Sequence, residues 1–228
     1  MKQTIYILII AIGFLSCNKH IKLADKPPIL KSDSKVKENS SGALNKDYSL
    51  SNNDSIFYDL KFDAKEISKG KYKGIEKKLI RACSIDTSGF VKGKGLILER
   101  FCKDICELYL IDEKKKIKLM LPSNFDGGIK GLVVSPDCNQ FLVYSSYDSA
   151  NYTKFYENRA EVYGFAIAKG QGIQTIKPTF KFYTKNWSIA NVIWTSNNEI
   201  ALKIYEESRS AENQDKLNYK YFKSTIKK

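Results

Sequence analysis

Histidine is almost missing from this 228-residue chain, with His20 as its one imidazole. A Ser-His-Asp triad or a Cys-His pair needs an imidazole beside its nucleophile, and an HExxH zinc site needs two. Those chemistries are therefore excluded from the remainder of the chain, along with the usual His-bearing catalytic metal centres. Long apolar runs are also missing. The longest, Ile5 to Leu15, is interrupted only by Tyr6 and Gly13. It falls well short of the roughly 20 residues that a helix needs to cross a bilayer. A phosphate loop is absent too. Asp126-Gly-Gly-Ile-Lys-Gly has neither the GKS ending nor a following helix, and reads as a turn. No cofactor and no metal is implied.

What stands at the N-terminus is a targeting pattern. Met1 to Cys17 reads MKQTIYILIIAIGFLSC, with Lys2 ahead of the apolar run and a polar stretch after it. These are the length and flanks of a secretory signal segment. Phe14-Leu15-Ser16-Cys17 resembles the lipobox of bacterial lipoproteins, in which a small residue precedes the Cys; Phe14 stands where Leu is commoner. The resemblance covers these 17 residues. It implies cleavage before Cys17, a diacylglycerol on its thiol and an acyl chain on its new amino group. Each buried methylene contributes about 0.8 kcal/mol, so more than one chain anchors stably. In the sorting pattern that the resemblance brings, Asp after the Cys keeps a protein at the inner membrane. Asn18 is not Asp, which implies the outer membrane. Lys19-His20-Ile21-Lys22 is not acidic, which points to the periplasmic face.

Residues 18–55 are poor in large apolar side chains and hold seven Lys against five acidic residues. Such a stretch cannot bury enough surface to offset its ordering entropy, and Pro27-Pro28 stiffens it locally. The expectation is a flexible tether over 17–55 and one β-rich domain over 56–228. From Ile56 onward the apolar runs are short, rich in Val, Ile, Tyr and Phe, and punctuated by Gly, Asn and Pro-Asp, which is a strand signature. Strands are predicted over 56–62, 78–85, 95–100, 107–111, 115–121, 131–135, 140–146, 161–168, 173–183, 190–195, 199–205 and 218–226. One helical turn is expected over 64–68 and another over 152–159.

Two stretches look alike, about 60 residues apart. Gly131-Leu-Val-Val-Ser-Pro-Asp-Cys-Asn-Gln-Phe-Leu-Val-Tyr is an apolar strand, a turn and a second apolar strand. Ala190-Asn-Val-Ile-Trp-Thr-Ser-Asn-Asn-Glu-Ile-Ala-Leu-Lys-Ile-Tyr has the same form. Pro136 presets φ for the first turn, and Asp137 accepts backbone hydrogen bonds within it. The Ser-Pro-Asp hairpin resembles the blades of TolB-like and WD-type propellers. The strands suffice for two to three blades, whereas a ring needs at least four. The fold class is therefore mainly β: antiparallel sheets with propeller-blade-like hairpins, not a closed propeller.

With Cys17 set aside, Cys83, Cys102, Cys106 and Cys138 remain. An even count in an oxidising compartment allows two disulfides in three connectivities, or four free buried thiols. Cys102–Cys106 with Cys83–Cys138 is the favoured pairing. The four-residue spacing closes only if the segment turns, because a straight strand would hold the two Cα atoms about 13 Å apart.

The densest polar chemistry is Tyr147, Asp148, Tyr152, Tyr156, Glu157 and Arg159, in a long connection between two predicted strands. Tyr gives contact area at low entropy cost and Arg gives bidentate hydrogen bonding, so the set suits a protein or glycan contact. Asp148, Glu157 and Glu161 are the acids that a hydrolase would draw on, if two of them faced each other across a cleft. Of the two tryptophans, Trp194 is expected in the core and Trp187 on the other side of its strand.

The net charge is +13. Lys69, Lys71, Lys73, Lys77, Lys78 and Lys114 to Lys118 cluster along the chain. A positive field attracts polyanions, which in an envelope are lipid headgroups, acidic glycans or acidic proteins; export removes nucleic acid. The sequence thus points to a lipid-anchored, non-enzymatic binding or scaffolding module of the envelope, an immunity-type protein being one variant. The competing class is an envelope hydrolase using Asp and Glu.

Overall fold

The computed structural model describes residues 46–49, 57–78, 83–125, 128–147, 159–206 and 217–226, all within the compact unit Gly42–Lys228. Cys17, Asp148, Tyr152, Tyr156 and Glu157 lie outside the described residues. Three short strands come first, β1 (Lys46–Ser49), β2 (Tyr58–Asp59) and β3 (Asp63–Glu66), then one helix, α1 (Lys69–Lys77). Three groups follow. The first is β4 (Ile97–Cys102), β5 (Cys106–Asp112) and β6 (Ile117–Met120). The second is β7 (Gly131–Val134), β8 (Gln140–Ser146), β9 (Ala160–Ile167) and β10 (Ile176–Thr184). The third is β11 (Ser188–Ser196), β12 (Glu199–Tyr205) and β13 (Tyr219–Thr225).

Each group is an antiparallel meander and forms its own sheet. Each sheet then takes one N-terminal strand beside its last member, giving orders β1-β6-β5-β4, β2-β10-β9-β8-β7 and β11-β12-β13-β3. β1 and β2 pair parallel and β3 antiparallel. None of the sheets closes into a barrel or a propeller ring. The first sheet thus recruits Lys46–Ser49 from the stretch read as tether.

The middle sheet is apolar on both faces, which explains the near-continuous apolar runs of β8 and β9. Phe141, Val143, Tyr163 and Phe165 pack toward the first sheet, on Leu108, Leu110 and Leu119. Leu142, Tyr144 and Val162 pack the opposite way, on Val192, Trp194, Ile200 and Leu202 of the third. Strand alternation does this: neighbouring residues point to opposite faces. A bulge between Pro178 and Lys181 resets the parity of β10, so that Ile176 joins the first core and Phe180 the second. It also accommodates a Pro that cannot donate to the ladder. Gly164 belongs to the same design, since a Cβ there would sit 2.2 Å from the Phe180 ring. The N-terminal stretch contributes to every layer: Phe57 to the first core, Leu60 to the second, and Ile67 to a third on the outer face of the last sheet.

The two look-alike hairpins are β7–β8 and β11–β12, in neighbouring sheets, and their turns touch. The Asp137 N–H donates to Asn197 Oδ1 at 3.2 Å, and Gln140 Nε2 donates to the Asn197 carbonyl at 3.0 Å. Within the Ser-Pro-Asp turn, Asp137 Oδ1 accepts the Ser135 hydroxyl at 2.6 Å and the Asn139 N–H at 3.1 Å.

Three expectations need correction. Residues 64–68 do not form a helical turn: Asp63–Glu66 is β3, and α1 begins after Ser68, whose hydroxyl caps it by accepting the Lys71 N–H at 3.2 Å. Of the strand expected over 78–85, the described residues Lys78 and Cys83–Ile85 form none. Lys78 closes α1, and Ile85 makes a single isolated bridge to Val91. The stretch 173–183 begins with a 3-10 turn, Ile173–Thr175, before β10. There Gly172 takes φ +83°, and its carbonyl accepts the Thr175 hydroxyl at 2.7 Å.

Both disulfides of the favoured pairing are formed, Cys83–Cys138 across 55 residues and Cys102–Cys106 across four. β4 and β5 bring Cys102 directly opposite Cys106 at the hairpin end, which is the turn the short spacing needs. Loop closure entropy makes the long bridge worth about 4 kcal/mol and the short one about 2 kcal/mol. Replacing Cys83 and Cys138 by Ser should therefore lower the unfolding free energy in denaturant by more than the same change at Cys102 and Cys106. Equal losses would contradict the long bridge as the dominant covalent clamp.

Candidate functional site

Of the Tyr-rich connection, the described residues include its two ends, Tyr147 and Arg159. They are stitched to one another and to the third sheet through the main chain. The Tyr147 N–H donates to the Arg159 carbonyl at 2.8 Å, and the Arg159 N–H to the Thr184 carbonyl at 2.6 Å. The Ser188 hydroxyl donates to the Tyr147 carbonyl at 2.8 Å. The Arg159 guanidinium donates to the Glu206 carbonyl. Arg159 is thus a brace between the second and third sheets, and the Tyr147 ring stacks on Phe125 at 6.2 Å between centroids.

Glu161 is fully buried. Its position on β9 puts it in the row of Tyr163 and Phe165, facing the connection between β6 and β7. There it accepts the Asn124 backbone N–H at 2.7 Å and Asn124 Nδ2 at 2.9 Å. Asn124 also donates to the Tyr163 hydroxyl at 3.0 Å, which lies 2.6 Å from the Tyr183 hydroxyl. Burial pushes the Glu161 carboxyl above the ordinary carboxylate range; hydrogen bonds from Asn124, Ser123 and Ser145 oppose this without overcoming it. The group clamps a connection in place, and its oxygens are turned away from solvent.

One concave feature, of about 210 Å³, adjoins this connection and is lined in part by Ser123, Asn124 and Phe125; another lies elsewhere. β7 is the end strand of the second sheet and β11 the end strand of the third. The two edges run beside each other, and the Trp194 indole N–H ties them by donating to the Val133 carbonyl at 3.1 Å. Between them is a groove of about 410 Å³, lined among others by Ile85, Leu132, Val134, Pro136, Val192 and Trp194. That is within the size range of ligand sites, and the lining is mainly apolar, as such sites usually are. Ile85 is 40% exposed on its rim. Asn191 supplies a side-chain amide in the lining.

Sequence reasoning found the strands of this groove but not the groove. The available signal was the pair of matching hairpins, whose first strands, β7 and β11, are the two edges. Trp194 is in the core, as expected. Trp187 is half-buried against Phe182, with ring centroids 5.5 Å apart. β11 carries register shifts between Ile189 and Asn191 and between Trp194 and Ser196. Counting alternate residues across a bulge gives the wrong face, and this is why Trp187 packs inward. Among the described residues no group of three His, Cys, Asp or Glu is arranged to hold a metal ion. No family model, no curated protein and no solved structure matches this chain.

A raised carboxyl binds its proton more readily in the folded chain than in the unfolded one. Stability then falls as pH climbs from the ordinary carboxylate value through the raised one. Glu161→Gln cannot ionise and should flatten that fall. Thermal unfolding midpoints measured between about pH 4 and pH 7 test this. An unchanged slope would remove Glu161 as its source.

Proposed function

We propose that this chain is a non-enzymatic binding module of the cell envelope. Acylated Cys17 holds it at the outer membrane on the periplasmic side, and it receives an extended apolar segment of a partner protein in the groove between β7 and β11. The observation that carries this reading is that two sheet edges border one apolar groove. An edge strand offers main-chain hydrogen bonds to an added strand, and apolar pockets beside it select alternate side chains. A scaffold and an immunity-type protein would both use such a contact. An apolar lining suits a peptide better than a charged glycan, whose hydration would be lost on entry.

Panning a peptide library on the full chain carrying Cys17→Ser tests the groove. The expected binders are extended apolar sequences that slow amide exchange in β7 or β11. Introducing Ile85→Arg together with Asn191→Arg should weaken them at least tenfold, because both positions line the groove and neither is fully buried. Binders indifferent to that pair would place recognition elsewhere.

The anchor is tested by mass spectrometry of the native protein. The expected N-terminus is Cys17 carrying three acyl chains. An intact Met1, or an unmodified Cys17 thiol, would reject the envelope anchoring.

A further inference from the structure

We infer that α1 and the adjoining outer face of the third sheet form a cationic platform that rests on a bilayer surface bearing anionic phosphate headgroups. The proposal adds a second membrane contact to the lipid anchor and, for its location, rests on the reading of Cys17 as acylated.

α1 packs inward through Tyr72, whose ring lies 4.9 Å from that of Tyr221 on β13, and through half-buried Ile75. Everything else charged on the helix points out. Lys69, Lys71, Lys73, Lys77 and Lys78 are all exposed, with Glu76 as their one acid. Exposed Lys65 on β3 lies opposite Lys223 of β13. Lys203 stands over the Tyr219 ring, 3.9 Å from its centroid. On this sheet Lys223 is neutralised by Glu199 at 2.8 Å and Lys220 by Glu206 at 2.7 Å. The helix lysines thus form the main excess of positive charge here.

Two features of α1 run against helix stability and so call for another explanation. Its first turn holds no acidic residue and carries Lys69 and Lys71, where the macrodipole disfavours cations. Gly70 and Gly74 each lower helix propensity relative to Ala, although packing does not require them. A Cβ at Gly74 would meet nothing within 4 Å, and one at Gly70 would meet only Ser68 Oγ, at 4.0 Å. Helical spacing puts Gly70 and Gly74 on the solvent side among Lys69, Lys73 and Lys77. The outward strip is therefore lysine and glycine with no bulky side chain between. A flat anionic surface can approach the backbone closely there, while the lysines reach phosphates on either side.

The test uses the full chain with Cys17→Ser, which removes acylation, and vesicles of phosphatidylglycerol mixed with phosphatidylcholine against phosphatidylcholine alone. Sedimentation should show binding to the anionic vesicles only, lost as salt rises from about 0.05 M to about 0.5 M. Neutralising Lys69, Lys71, Lys73 and Lys77 to Gln should weaken partitioning by at least about 100-fold, since each lysine near such a surface contributes about 1 kcal/mol. Removing the same charge from exposed Lys103, Lys114, Lys169 and Lys185 should change it by less than about threefold. The proposal is overturned by absence of anionic-vesicle binding, by equal losses in the two quadruple variants, or by lysine-dependent binding to a soluble polyanion such as heparin but not to vesicles. Mass spectrometry of Cys17 judges the anchor separately, so the two readings can fail independently.

Discussion

The structure depends on a middle sheet that is buried on both faces. β8 and β9 expose almost nothing, so the first and third sheets each meet a ready apolar surface. Phe141 and Phe165, stacked at 4.7 Å, serve one side, while Leu142, Val162 and Phe180 serve the other. A fully buried side chain of this size contributes about 1.5–3 kcal/mol, and truncating a Phe here to Ala would cost about 3–5 kcal/mol. Neither outer sheet has a comparable second partner among the described residues. The third is covered on its far side by α1 through Tyr72 and Tyr221.

The second constraint is the N-terminal stretch from β1 to β3. It gives one strand to each sheet in turn, always beside the last strand of the meander. β2 spans only two residues, so main-chain pairing cannot be what holds it. The hold comes from side chains on either side of the strand: Phe57 sits between Tyr163 and Phe165 at 5.1 and 5.5 Å, and Leu60 enters the second core. Among the described residues, three meanders so strapped make a stack with open edges, and it is two such edges that border the groove.

The candidate site was only partly legible in the sequence. The polar cluster around Tyr147 and Arg159 drew attention by density, and its two described ends act as braces between sheets. Glu161 looked like one surface acid among several, yet Asn124, 37 residues away, encloses it. That distance has no local signature. The α1 helix was missed because two glycines and four lysines leave only Tyr72 and Ile75 as an apolar face; the Ser68 cap was its one clear mark. The groove was illegible for a different reason: an edge is defined by which strand fails to find a neighbour, and strand order is a property of the assembled sheet.

The sequence by itself left the cysteine pairing open among its alternatives, and determined the class of the fold, most strand positions and the Ser-Pro-Asp turn. These follow from short-range rules of alternation, turn chemistry and chain reach, which act within a few residues or on a simple count. Tertiary structure alone decided which faces of β8 and β9 meet which sheet, where the N-terminal strands dock, that Glu161 is interior and that the α1 lysines share one surface. Those outcomes depend on contacts between residues far apart in sequence, and their energies exist only once the sheets have stacked.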